Sequence, residues 1–289
     1  MMPEPVFNLY RYALQDSVGD SEVETYAHNL VMSFFDDVNY STPISDRTLP
    51  AEAAVAMNLW SYIIHKVQTA VNLCSTGGSL VGADGVHLLD EVAAYWIGSE
   101  QETGDSNKGH SLYNLAEKSG KEFGQVGLDQ SRVNRNVLKL LKEASMQVAF
   151  ENGCSVNPFV ASNLRQVVHK IVSQMTVPLI QHLILNLISN DRGRVKIYSH
   201  ALIPLVAGCK QSTYTYLKEK LLSPSYQYHI SETKDIIEKI QDAYSCLGLS
   251  CNDIGDLITS EVLCVDRDNH QAMAGYKPTS DVREVSSCI

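Results

Sequence analysis

Two stretches of the chain carry the side chains best suited to chemistry. In GVHLLDEVAAYWIG (85–98), His87, Asp90, Glu91 and Tyr95 recur at helical spacing, and in HSLYNLAEKSG (110–120) His110, Tyr113 and Glu117 do the same. Carboxylates and phenols are hard oxygen donors. Residues three or four apart lie one above the other on a helix, so neighbouring helices of this type can offer a donor set to an oxygen-loving cation. On the first helix Val86, Leu88, Leu89, Val92, Ala93, Trp96 and Ile97 form the apolar side; His87, Asp90, Glu91, Ala94 and Gly98 lie opposite, with Tyr95 at the edge. That polar face holds no Lys or Arg, and Ala94 and Gly98 leave room for another backbone, so a cleft is open beside the plainer reading of a solvated surface. On the second helix Leu112, Leu115, Ala116 and Phe123 form the core side, and Lys118 and Lys121 give the other side more the character of ordinary surface.

The elements that must position these residues are helical. Apolar residues recur at helical spacing over 22–38, 51–74, 86–97, 110–123, 131–150, 159–176, 178–189, 194–208, 211–222, 231–246 and 253–263, and no strand pattern stands out. The expectation is an all-α protein of roughly ten helices in an antiparallel, bundle-like arrangement of two packed halves. Residues 1–152 form the N-terminal half with the candidate site, 153–265 the C-terminal half, and 266–289 a polar, flexible tail. Pro178 marks a kink or a fresh helix start. The segment PLIQHLILNLI (178–188) is apolar nearly all round, with a narrow stripe of His182, Asn186 and Ser189, and reads as central. His182 is then a satisfied core histidine or lines a cleft, and His65, among apolar neighbours, reads as structural.

With 289 residues, 44% of them hydrophobic, the chain can bury a substantial core. Its net charge of −10 argues against nucleic acid, which is bound through cationic phosphate contacts. No apolar run reaches the roughly 18–20 residues of a membrane helix. The N-terminus has no basic region followed by an apolar stretch, which fits an intracellular protein or one whose leader lies outside this sequence. Seven cysteines form no metal-binding spacing; Cys246 and Cys251, in CLGLSC, are close enough for a helix end and turn to bridge them. Asn39-Tyr40-Ser41 is a glycosylation sequon and favours a secretory history. No GxSxG, P-loop, GxGxxG or HExxH pattern is present, so the expectation is that the chain is not an enzyme.

Six phrases together resemble a known family. LWSYIIHKVQTAVNLC (59–74), GVHLLDEVAAYWIGS (85–99), LYNLAEKSGKEFG (112–124), MTVPLIQ (175–181), ALIPLVAGC (201–209) and YSCLGLSCNDIGDL (244–257) occur in the order found in the algal low-iron-inducible periplasmic proteins, the iron-assimilation or phytotransferrin-like family. The resemblance covers about 200 residues and implies a secreted, periplasmic or cell-surface protein with disulfides and a role in iron acquisition, alongside a cell-surface partner protein. It further implies ferric iron held by carboxylate and tyrosine oxygens, with a synergistic anion such as carbonate. The metal ligands it implies here are Asp90, Glu91 and Tyr95, with Tyr113, Glu117 and His87 as additional groups. Three departures cut the other way. Lys66, Gln68 and Thr69 stand where acidic residues are expected, Gln125 and Val126 follow Gly124 where a cysteine is expected, and Arg194 replaces an acidic residue ahead of ALIPLVAGC. The alternative is a metal-free helical structural or interaction module that kept the scaffold.

Overall fold

The computed structural model describes residues 5–18, 25–36, 47–76, 84–127, 129–149, 154, 158–223, 229–258, 265–266 and 271–272. The fold is all-α, with helices packed on helices. In chain order these are α1 (Pro5–Val18), α2 (Tyr26–Asp36), α3 (Leu49–Ala53), α4 (Trp60–Ser75), α5 (Asp84–Ile97), α6 (Leu112–Glu122), α7 (Arg132–Ala149), α8 (Pro158–Ser189), α9 (Arg192–Ala207), α10 (Gln211–Leu217), α11 (Thr233–Gln241) and α12 (Cys251–Ile254). Two antiparallel pairs of two-residue strands accompany them, β1 (Val126–Gly127) with β2 (Gln130–Ser131) and β3 (Val265–Asp266) with β4 (Gln271–Ala272).

The chain forms two compact units, residues 60–178 and residues 1–59 together with 179–289. The seam expected near residue 153 therefore lies elsewhere: it falls between a π-helical turn at Ala54–Leu59 and α4, and again after Pro178 inside α8. Pro178 does not end the helix. Its neighbours Val177, Leu179 and Ile180 are fully buried, and that packing outweighs the backbone hydrogen bond that a proline forfeits. The two helices expected on either side of Pro178 thus become one, and Phe159–Ser189 is long and apolar enough to cross a membrane by length and composition alone. Of its most apolar stretch 83% is buried inside the protein, as in the core helix of a soluble fold. α1, for which the sequence pattern gave no expectation, is helical. The expected helix 253–263 is helical only from Cys251 to Ile254 within the described residues, because Gly255 (φ 80°) ends it. Most of the tail from 266, and the sequon at Asn39, lie outside the described residues.

In the unit of residues 1–59 and 179–289, α1 packs on α9. Tyr10, Ala13 and Leu14 are fully buried, as are Ile197, Ala201 and Leu202 on α9. The Tyr10 hydroxyl donates to the Ala201 carbonyl, and Tyr214 donates to Ala13 O at 3.0 Å. Cys209, just past α9, bonds to Cys246, with their Cα atoms 5.7 Å apart. This replaces the expected Cys246–Cys251 bridge. The turn between them is closed by Leu249 N–H donating to Tyr244 O at 2.8 Å and by a Ser250/Asp253 capping box, which commits Cys251 to the start of α12. Cys251 is itself disulfide-bonded.

In the unit of residues 60–178, α4 packs on α5, and α5 packs on α6 and α7. Leu89, Val92 and Trp96 of α5 are buried, as their spacing requires. Cys74 is bridged to Cys154, with Cα atoms 4.9 Å apart. Disulfides persist in oxidising compartments, so these bonds are consistent with an extracellular setting. Peptide mapping without reduction is expected to recover the Cys74–Cys154 and Cys209–Cys246 pairs; a Cys246–Cys251 peptide would refute the arrangement.

Candidate functional site

Helix α5 shows His87, Asp90, Glu91 and Tyr95 to solvent. Its polar face lacks a cation in sequence, yet the neighbouring helix supplies one: the Lys66 ammonium of α4 sits 2.7 Å from Glu91 Oε2. Hydrogen bonding to Glu91 and then to Tyr62 raises the Lys66 pKa. Lys66 also lies 5.2 Å from the centroid of the Tyr62 ring, and Tyr62 meets Tyr95 edge-on at 5.2 Å. The α4–α5 surface is therefore a linked set of Lys66, Glu91, Tyr62 and Tyr95. Gly98 does not open this face to a ligand. It ends α5 with φ 74°, its N–H donating to Ala94 O at 2.8 Å, and a Cβ there would come within 2.5 Å of the Ser111 Cβ. Ser111 Oγ takes that room and donates to Tyr95 O at 2.6 Å.

Tyr113, Asn114 and Glu117 of α6, expected on the outer face, are buried. The loop 98–111 and the β1–β2 hairpin supply the partners that make this possible. Asn114 Nδ2 donates to the carbonyls of Ser106 and Lys108 at 2.9 and 2.8 Å. The Tyr113 hydroxyl donates to Gln130 Oε1 at 2.9 Å. Burial, followed by the charge of Glu117, pushes the Tyr113 pKa up. Gly104 is required here, since a Cβ would come within 1.6 Å of Asp129 O.

Glu117 has no exposed surface. Its two carboxylate oxygens accept the Ser131 N–H at 2.9 and 3.0 Å, and Oε1 accepts from Asn134 Nδ2 at 2.7 Å. The carboxylate thus sits at the start of α7, where free amide groups and the helix dipole favour negative charge. Asn134 extends the knot by donating to Tyr113 O at 2.9 Å and accepting from Trp96 Nε1 at 2.9 Å. Ser131 Oγ accepts the Asn134 N–H at 3.2 Å. The Ser131–Asn134 spacing in QSRVN is the sequence signal of this helix start.

The six residues implied as metal ligands therefore stand in two surroundings. His87, Asp90, Glu91 and Tyr95 line an exposed helix side, whereas Tyr113 and Glu117 are buried with their oxygens committed to Gln130, Ser131 and Asn134. Among the described residues no group of three or more His, Cys, Asp or Glu is placed to hold a metal ion. The six are thus not in one common setting.

The other unit contains a second carboxylate–tyrosine cluster, whose signal in the sequence was only the unexpected Arg194. Arg194 Nε contacts Glu52 Oε2 at 3.0 Å, its Nη1 contacts Asp191 Oδ2 at 2.7 Å, and its Nη2 donates to Thr48 Oγ1 at 2.9 Å. Asp191 also caps α9 by accepting the Arg194 N–H at 3.0 Å. The buried Tyr198 hydroxyl donates to Glu52 Oε1 at 2.6 Å, and desolvation raises its pKa well above the ordinary value. His182 stacks on the Tyr198 ring, with centroids 4.9 Å apart. The guanidinium thus occupies the middle of two carboxylates, a position where a cation is held by the fold.

Two histidines outside these clusters set a pH dependence. Burial holds the His200 pKa down to about 4, against a backbone hydrogen bond to Lys196 O, and burial also lowers that of His169. Each therefore takes up its proton at lower pH when folded than in the unfolded chain, where the ordinary histidine pKa is about 6.5. Their contribution is complete above that pH and is lost as pH falls toward the folded pKa, by about 4 for His200. A urea midpoint that declines between pH 6.5 and 4, with a shallower slope in His200→Asn, is the expected result; an unchanged slope in that variant refutes the assignment.

Comparison with protein-family models, with curated proteins and with solved structures finds no match. The class is therefore defined by the geometry itself: a disulfide-bonded, all-α protein of two helical units.

Proposed function

We propose that this chain is a secreted or cell-surface helical module, non-enzymatic, that works by contact with a partner protein and carries the scaffold of the low-iron-inducible periplasmic family without depending on a bound metal. The observation that supports this reading is the Lys66–Glu91 ion pair at 2.7 Å, in which a lysine side chain neutralises the carboxylate best placed to be a ligand. The Arg194 cluster repeats the pattern in the other unit, between Glu52 and Asp191. The Cys74–Cys154 and Cys209–Cys246 disulfides suit a protein that works outside the cytosol. Elemental analysis of natively purified protein is expected to show no stoichiometric metal, and Glu91→Ala is expected to leave metal content and folding unchanged. One equivalent of tightly held metal that disappears in Glu91→Ala would overturn the reading.

A second reading, a ferric-iron-binding protein of iron acquisition with carbonate as the synergistic anion, is favoured by the exposure of His87, Asp90 and Tyr95 along one helix side. Iron would then be cargo taken at the surface of α5, with Tyr113 and Glu117 supporting the fold behind it. On this reading Lys66→Ala frees Glu91 and strengthens ferric binding, and iron titration in bicarbonate produces a visible tyrosinate band that Tyr95→Phe removes. Titration without a band in both wild type and Lys66→Ala rules it out.

A further inference from the structure

The long helix α4 carries a polar stripe on a side that is otherwise sealed. Ser61 and Gln68 are only 2% and 9% exposed. They are seven residues apart and so lie on the same side of the helix. Ser61 Oγ and Gln68 Oε1 are buried and have no hydrogen-bond partner among the described residues, and the same holds for His169 Nε2 on α8. Buried polar groups in native proteins are almost always paired.

Ser61 is unlike the other hydroxyl residues of its helix. Thr69 and Ser75 satisfy themselves by donating to the carbonyls of His65 and Val71, at 2.9 and 2.8 Å. Ser61 follows directly on the π-helical turn at Ala54–Leu59 and makes no such bond among the described residues. Turns of this kind recur at functional sites.

α4 and the part of α8 up to Pro178 belong to the unit of residues 60–178. α4 and α8 run antiparallel, pinned at one end by Trp60 Nε1 donating to Met175 O at 3.1 Å and at the other by Arg165 donating to Ser75 Oγ at 3.3 Å. His169 is one turn from Arg165 and so shares its α4-facing side. Gln174, which accepts from Asn136 of α7 at 2.9 Å, marks the other side of α8. Gln68 lies seven residues before Ser75, again on the facing side.

We propose that Ser61, Gln68 and His169 line an internal binding site between α4 and α8 for a small neutral ligand bearing hydroxyl groups, either ordered water or a small polyol. Gln68 Oε1 accepts from the ligand, while Ser61 Oγ and His169 Nε2 donate to it or accept from it. The three side chains offer no fixed charge to an ion, and burial lowers the His169 pKa, which favours the neutral imidazole.

The test is the sign of a stability change in the full-length, disulfide-intact protein. A bare polar atom is a burden, so replacing it with an apolar group of similar shape raises stability; a polar atom bonded to a ligand is an asset, and the same change lowers it. Gln68→Met and Ser61→Ala are both conservative in size, and Ser61→Ala is the milder should Gln68→Met disturb folding. The expected result is a Tm lowered by about 2 °C or more in each, with the double variant losing less than the sum because both groups serve one ligand. A Tm that is unchanged or raised in Ser61→Ala, or strict additivity of the two, overturns the proposal. Native mass spectrometry separates the two sources. A mass excess lost on denaturation identifies a polyol, and its absence alongside lowered Tm values identifies water.

Discussion

Replacing Glu117 with Ala is expected to destabilise the 60–178 unit by about 3–5 kcal/mol, the range seen when a buried charged partner is removed and its neighbours are left unpaired. The reason is geometric. Glu117 is fully buried, and its oxygens receive the Ser131 amide and the Asn134 side chain. Asn134 in turn receives Trp96 and donates to Tyr113 O, so one truncation leaves two donors without an acceptor, the Ser131 amide and one Asn134 N–H, and loosens the residue that joins Trp96 to Tyr113. Glu117→Gln can keep its oxygen at the Oε1 position, which serves both Ser131 and Asn134, but sets its NH2 against the Ser131 amide, and should cost less, about 1–2 kcal/mol. Hydrogen exchange locates the effect. Amides of α6 and of the first turn of α7 should lose protection, while those of α9 should not. Loss of iron binding with unchanged stability in Glu117→Ala would instead make Glu117 a ligand.

Arg194→Met is expected to cost about 2–4 kcal/mol, read from denaturant unfolding, because it strands two part-buried carboxylates that the guanidinium now joins. The residue ties Thr48 and Glu52 of the α3 region to Asp191 and α9, and Tyr198 depends on the same Glu52 through its 2.6 Å hydrogen bond. Adding Glu52→Gln to Arg194→Met should recover part of the loss, since it removes one stranded charge. A double variant as unstable as the sum of the two singles would show that the three groups do not act as a cluster.

The sequence made the faces of α5 legible but not those of α6. Periodicity alone separates Leu89, Val92 and Trp96, which are buried, from Asp90, Glu91 and Tyr95, which are exposed, because α5 has one wet side. Tyr113 and Glu117 obey the same periodicity and are buried nonetheless, covered by a loop and a hairpin whose path depends on Gly98, Gly104 and Asp129. No period within a helix reports what a loop lays over it. Lys66 was visible as a departure from the family pattern, but its reach to Glu91 belongs to the packing of α4 on α5. Arg194 likewise looked like a lost acidic residue until Glu52, 142 positions away, was placed beside it. Cysteine pairing followed the same logic, since Cys246 found Cys209 through the fold and not its near neighbour Cys251.

The order of the two units along the chain bears on how the protein comes into being. Residues 60–178 are continuous, so everything that unit needs has left the ribosome once its last helix has emerged. The other unit is interrupted: α1 is made first, yet the Ala201 carbonyl that receives Tyr10 is 191 residues behind it. During synthesis the side of α1 that packs on α9 stays unmatched until α9 has emerged, and apolar surface left open in that interval is prone to misassembly.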